Sequence, residues 1–159
     1  MKSKLALGAL IAGVAIVCGR GMAAAEPSAC SLLAQAKVAQ VLGVSVGAGA
    51  PIMPGQPSQC SWAPPGDRTK RALLDILTPL GSRTPVDRFN TGKTPVNGIT
   101  KTAVTGIGDD AYYTSTPGLG TVLSVRKGTS AFTIRISGFP DDATKALEKT
   151  LALDVLTKL

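Results

Sequence analysis

The chain has 159 residues, with 17 Lys and Arg against 10 Asp and Glu, 44% hydrophobic residues, 18 glycines, 11 prolines and no histidine. That length and apolar fraction point to a single domain with its own core rather than a disordered chain. The missing histidine excludes Ser-His-Asp and Cys-His catalysis, His-ligated zinc or haem, and an imidazole pH switch.

Residues 1–25 read as a signal peptide. Met1-Lys2-Ser3-Lys4 supplies the positive start, Leu5 to Val17 the apolar run, and Ala23-Ala24-Ala25 before Glu26-Pro27 a small-residue cleavage site. The run makes a helix of roughly 20 Å, short of the ~30 Å hydrocarbon core, so no stable membrane anchor is expected. Cleavage after Ala25 leaves residues 26–159 as a single α+β domain and, by removing Lys2, Lys4 and Arg20, takes the net charge from +7 to +4. Cys18 follows the apolar run as a lipidated cysteine does, but Val17 stands where lipoprotein processing wants a small residue. Cys18 is therefore expected to leave with the signal peptide. The product is a periplasmic or secreted protein. Its modest basic excess fits loose contact with an anionic ligand, and equally a solvated surface of ordinary composition.

Two cysteines remain, Cys30 and Cys60. An even pair in an exported chain reads as a disulfide, and no Cys-x-x-Cys spacing or histidine favours a metal or redox site instead. Ser31 to Leu42 carries apolar side chains at 33, 34, 38, 41 and 42, the spacing of one helical face, and Gly43 supplies a stop. Gly47 to Pro57 is rich in glycine and proline and reads as a loop, a candidate mobile arm. Gln59 to Ala63 forms a strand with Cys60 and Trp62 on one side, Pro64-Pro65-Gly66-Asp67 turns the chain, and Arg71 to Leu77 returns it. Thr84 to Phe89, with Pro85 suited to a first turn, gives a short helix.

The second half has a cleaner pattern. Ala111 to Ser115, Thr121 to Arg126 and Ala131 to Ser137 read as strands, and in the last one Phe132, Ile134 and Ile136 alternate with Thr133, Arg135 and Ser137, which puts one face in the core and the other in water. Lys127-Gly128-Thr129-Ser130 is a hairpin connection. Pro140-Asp141-Asp142 caps a final helix with Leu147, Leu151, Val155 and Leu159 at four-residue intervals. The order implies an antiparallel sheet with helices packed on one face, stapled by one disulfide.

The segments Cys30-Ser31-Leu32-Leu33 with Val41-Leu42-Gly43, Cys60-Ser61-Trp62, and Val104-x-Gly106-Ile107-Gly108-Asp109-Asp110-Ala111, followed by a Leu-rich terminal helix, resemble a family of small exported bacterial domains of unknown function found among actinobacterial lipoproteins. The resemblance spans nearly all of residues 30–159. It implies a cysteine-linked α+β fold and brings no catalytic residues. This chain departs from the pattern at Ala34 and Lys37, where members often carry Thr and Glu, and in lacking a lipobox.

Few constellations carry chemistry. Gly106-Ile107-Gly108-Asp109-Asp110 precedes a strand rather than a helix, so it offers no helix N-terminus to a phosphate, and two carboxylates fall short of a Ca²⁺ shell. It reads as a turn with an Asp-capped strand start. Asp75, Asp87, Asp109 and Asp110 would have to converge in a cleft to serve a hydrolase, and their spacing does not select them. Arg68, Lys70 and Arg71 beside Trp62 form a candidate grip for an anion, or else solvate a turn while Trp62 packs on the disulfide. Of Tyr112-Tyr113, strand alternation sends one ring inward and one outward, and Tyr113 is the candidate outward contact. The resulting expectation is a non-enzymatic, monomeric envelope accessory or binding protein for an envelope protein or an anionic ligand. No metal, cofactor or nucleic acid is expected. The alternative is a small envelope hydrolase using clustered aspartates.

Overall fold

A computed structural model of the chain describes residues 28–159. The signal-peptide reading, Cys18 and the cleavage after Ala25 lie outside the described residues. In chain order the elements are α1 (Ala29–Leu32), α2 (Gln35–Leu42), β1 (Ala50–Pro51), β2 (Gln59–Trp62), β3 (Arg71–Ile76), α3 (Pro85–Lys93), β4 (Thr100–Val104), β5 (Asp110–Thr116), β6 (Gly120–Lys127), β7 (Ser130–Ser137) and α4 (Asp141–Leu156). The strands form one antiparallel sheet in the order β1-β2-β3-β7-β6-β5-β4. This is the expected α+β class. No described helix is long and apolar enough to cross a membrane.

Two meanders, β1 to β3 and β4 to β7, meet at one seam, where β3 pairs with β7 from Arg71↔Ser137 to Ile76↔Phe132. The chain leaving β3 crosses to the far edge of the sheet before β4 begins, and α3 sits on that crossing. Strand alternation gives the sheet two unlike faces. Cys60, Trp62, Ala72, Leu74, Ala111, Tyr113, Leu123, Val125, Phe132, Ile134 and Ile136 point to one side, where they share a core with Leu32, Leu33 and Val38 of the N-terminal segment and Leu151, Ala152 and Val155 of α4. The other face carries Tyr112 and Ala131, which with Phe89 of α3 make a small second cluster. Three helices therefore cover one face, and α3 covers one end of the other.

Two sequence expectations change in detail. The single helix expected over 31–42 is broken, because Leu33 and Ala34 are extended (ψ 120° and 139°) and make no side-chain cap. Leu33 is thereby swung into the core at 2% exposure. Asp141 and Asp142 occupy the first turn of α4 without a cap bond, since Pro140 is the N-cap residue. They favour the helix through its dipole alone. By contrast, Thr84 and Asp87 form a reciprocal capping box at α3, which extends past Phe89 to Lys93. Two strands were not read from the sequence. β4 has no period-2 burial, and β1 is a two-residue pairing inside the Gly/Pro segment.

Cys30 and Cys60 are bonded, with Cα atoms 5.1 Å apart. The bridge ties α1 to β2 beneath the Gly/Pro arm. The arm is seated there by a glycine: a Cβ on Gly49 would lie 2.6 Å from Trp62 Nε1 and 2.8 Å from Cys60 Sγ, so only Gly lets the backbone pass over the disulfide and indole. A chain-entropy account of a loop with 30 residues of separation gives the disulfide about 3 to 4 kcal/mol of stability. The double variant Cys30→Ala/Cys60→Ala should lose about that much in denaturant unfolding, and the wild-type chain should lose the same amount on reduction. A loss below about 1 kcal/mol would show that the core holds α1 on β2 without the bridge.

Candidate functional site

The face of the sheet not covered by α1, α2 and α4 is open between the Gly/Pro arm and α3. Register places two rows of side chains across it. One runs Ser61, Leu73, Arg135, and the next Gln59, Asp75, Thr133, Ser124, Tyr112. Along β3, Arg71, Leu73 and Asp75 follow one another on this face, about 7 Å apart by strand geometry. A cavity of about 490 Å³ at the Arg71 end is lined by Arg68, Arg71, Ser61, Leu73 and the arm residues Ala50 to Ile52. A second, of about 200 Å³, shares Leu73 and Ile52 and adds Arg135, Val122, Thr133 and Asp75. A third, of about 400 Å³, continues past Asp75 and Gln59 to Leu80 and Arg88. Together they form one trough across the sheet.

Its electrostatics are uneven. The Nε atoms of Arg71 and Arg135 are shielded from solvent and have no hydrogen-bond partner among the described residues. Arg135 donates from its Nη2 to the Leu119 carbonyl at 2.7 Å. Leaving a charged donor shielded and unpaired costs free energy that a bound acceptor would return. At the far end, burial pushes the Asp75 carboxyl up, against a hydrogen bond from Gln59 and the charge of Arg88. The trough is thus cationic at the Arg68–Arg71 end, apolar over Leu73, Val122 and Ile52, and holds the opposed charges of Asp75 and Arg88 at the other.

Of the side chains singled out in sequence, Arg68 and Arg71 share this trough, but the others do not join them. Trp62 is 1% exposed and lies in the core, on the opposite side of the sheet from Arg71. The strand placed it correctly beside Cys60, and for that reason it faces away from the arginines. Lys70 turns its Nζ over the Phe139 ring, 5.8 Å from the centroid. Tyr113 is the inward ring rather than the outward one: it is 8% exposed and its hydroxyl donates to the Lys145 carbonyl at 2.6 Å. Tyr112 points to the other face and is also covered, because α3 lies on it, with Phe89 at 5.1 Å between ring centroids. Sequence reading missed Arg135, although the alternation in β7 had already placed it on the wet face.

Three of the four candidate aspartates have a local task, and Asp75 does not. Asp87 closes the α3 capping box, and Asp110 accepts from Lys93 at 2.7 Å. Asp109 accepts from the Gly128 backbone N–H at 2.7 Å and pairs with Arg126, fastening the β6–β7 hairpin. Gly108 (φ +57°) lets the chain pass against the Arg126 carbonyl, where a Cβ would collide. The Gly106 to Asp110 segment is a structural turn. No group of three or more metal-ligating side chains occurs among the described residues.

One buried acid was not signalled. Glu148 of α4 is fully buried, and its carboxylate accepts from the Ile136 N–H at 3.1 Å and from Thr121 Oγ1 at 3.2 Å. The β6–β7 ladder stops at Leu123↔Ile134, and Thr121 and Ile136 would form the pair after next. The carboxylate therefore wedges into the splayed end of the two strands. Burial pushes it up to about 7, only partly offset by those hydrogen bonds and by Arg135 and Lys145. Burial and the Glu148 charge together push Tyr113 up to about 12. Comparison with known proteins returns no matching family model, curated protein or solved structure.

The Glu148 shift sets a pH dependence of stability. A carboxyl whose folded value lies above its unfolded one favours the folded chain at low pH, and that advantage is lost as pH rises from about 4.5 through about 7. The loss amounts to about 3 kcal/mol at about 1.4 kcal/mol per pH unit. Glu148→Gln keeps both hydrogen bonds without the charge. It should be more stable than wild type at pH 8 and nearly equal to it at pH 4.5 in urea unfolding. Parallel pH profiles for the two proteins would show that Glu148 ionises as freely folded as unfolded.

Proposed function

We propose that this chain is an exported, non-enzymatic binding protein of the cell envelope that holds an anionic ligand in the trough on its open sheet face. The observation that carries this reading is the pair of shielded, unpartnered guanidinium Nε atoms of Arg71 and Arg135, with Arg68 at the same end of the trough. A guanidinium with a shielded Nε–H that lacks an acceptor gains from a charged oxygen, through charge-assisted bonds stronger than neutral ones. The Cys30–Cys60 bridge supports an oxidising compartment, and the resemblance to small exported domains agrees with a periplasmic or secreted location.

The hydrolase alternative has less support. Asp87, Asp109 and Asp110 are each engaged in local structure, and Asp75 stands alone on the open face with no second carboxylate paired to it. Titration of the purified chain with inorganic phosphate, followed by NMR, tests the binding reading. Binding should be weak in wild type and about tenfold weaker in Arg71→Ala and in Arg68→Ala, with unfolding midpoints unchanged in the exposed Arg68 variant. Equal affinity in all three proteins would contradict it, and turnover of a chromogenic ester or phosphate lost in Asp75→Asn would favour hydrolysis.

A further inference from the structure

We infer that the ligand is an anionic amphiphile, a single chain with a phosphate-like head at Arg68 and Arg71 and an apolar tail laid over Leu73 and Val122, past Arg135, beneath the arm residue Ile52. The inference rests on the anion-binding reading above and adds the second half of the ligand. A site for a bare anion needs only donors. This trough instead continues from the arginines onto Leu73, which is central on the face, and Val122, with Ala50, Pro51 and Ile52 as one wall. Ile52 is 46% exposed and Met53 48% exposed on the lip of that wall. Large apolar side chains held in water beside a cationic pocket complement a molecule with both characters.

Charge fixes the direction in which such a ligand lies. Arg68 and Arg71 line one end with no carboxylate beside them, whereas Arg135 and Asp75 share the cavity over Leu73 and Val122. An anionic head is favoured at the first end, where two guanidinium groups act unopposed, over the far end, where Asp75 offsets the charge of Arg88. The remaining apolar cavity, of about 510 Å³ near Ile76, Pro79, Pro85 and Leu159, has Lys158 at its rim, but the Lys158 Nζ is already taken by the Leu32 carbonyl at 2.7 Å and Asp154. It offers a head group no free guanidinium. The cavity volumes of about 490 and 200 Å³ suit one amphiphile lifted out of its bilayer, not a bilayer surface.

The test is a chain-length series of monoalkyl phosphates from butyl to octyl, each below its micelle concentration, with inorganic phosphate and octanol as the two half-ligands. Affinity should rise about fourfold per methylene, as burial of a CH₂ predicts. Leu73→Ala should flatten that rise, costing octyl phosphate more than butyl phosphate, and Arg68→Ala should lower every phosphate by a common factor. If all chain lengths bind like inorganic phosphate, the amphiphile is overturned and the anion-binding function stands. If octanol binds as well as octyl phosphate, or nothing binds, both are overturned. Phosphatidylcholine vesicles carrying a tenth of monoacyl (lyso) phosphatidylglycerol supply the last arm: the monoacyl lipid should appear in a soluble one-to-one complex with the protein, and co-sedimentation of protein with intact vesicles would overturn the inference.

Discussion

The pairing of β3 with β7 is the constraint on which the rest of the molecule hangs. Each meander is a local structure, and each exposes an unpaired edge until Arg71–Ile76 joins Phe132–Ser137. Once the seam is closed, a continuous apolar face exists for α4 and the N-terminal helices to cover. The same register sets Arg71 and Leu73 of one meander beside Ser137 and Arg135 of the other. The first meander builds the Arg68–Arg71 cavity by itself, and the seam extends it over Val122, Thr133 and Arg135 of the second.

The disulfide acts at one remove from that seam. By holding α1 to β2 it fixes the strand next to β3, and through Gly49 it sets the height at which the Gly/Pro arm passes over Cys60 and Trp62. The arm is the wall of the trough, so a core contact on one face of the sheet shapes a surface on the other. Glu148 plays a related part at the opposite end. A carboxylate wedged between β6 and β7 replaces a ladder bond, and with its proton on it costs the fold little. Its ionisation near neutrality makes that end of the sheet the part of the core most sensitive to pH.

Much of the fold was legible because local pattern and tertiary environment agree in it. β7 alternates over Thr133 to Ser137, Pro85 and Thr84 start α3, and the cysteine pair is oxidised as an even pair implies. β4 was not legible, since Thr100 to Val104 is an exposed edge with no buried face to impose alternation. The break between α1 and α2 was hidden for a different reason: helical spacing at 33 and 34 is also satisfied when Leu33 enters the core from an extended residue. The site was half legible. Arg68 and Arg71 are a visible cluster, but Trp62 and Tyr113 were grouped with the surface by side-chain type, and strand parity places both in the core. Arg135, Leu73 and Val122 come together only through the seam, which no short stretch of sequence reveals. Glu148 sits on the buried stripe with Thr144, Leu151 and Val155, and its charge concealed that membership.

The most direct check on the account is an NMR experiment on the side chains themselves. On addition of octyl phosphate, the Nε–H resonances of Arg71 and Arg135 and the methyl groups of Leu73, Val122 and Ile52 should shift together, while the indole N–H of Trp62 and the ring of Tyr113 stay in place. Shifts confined to Trp62 and Tyr113, or to the residues around Pro79 and Leu159, with the two guanidinium groups unmoved, would contradict it.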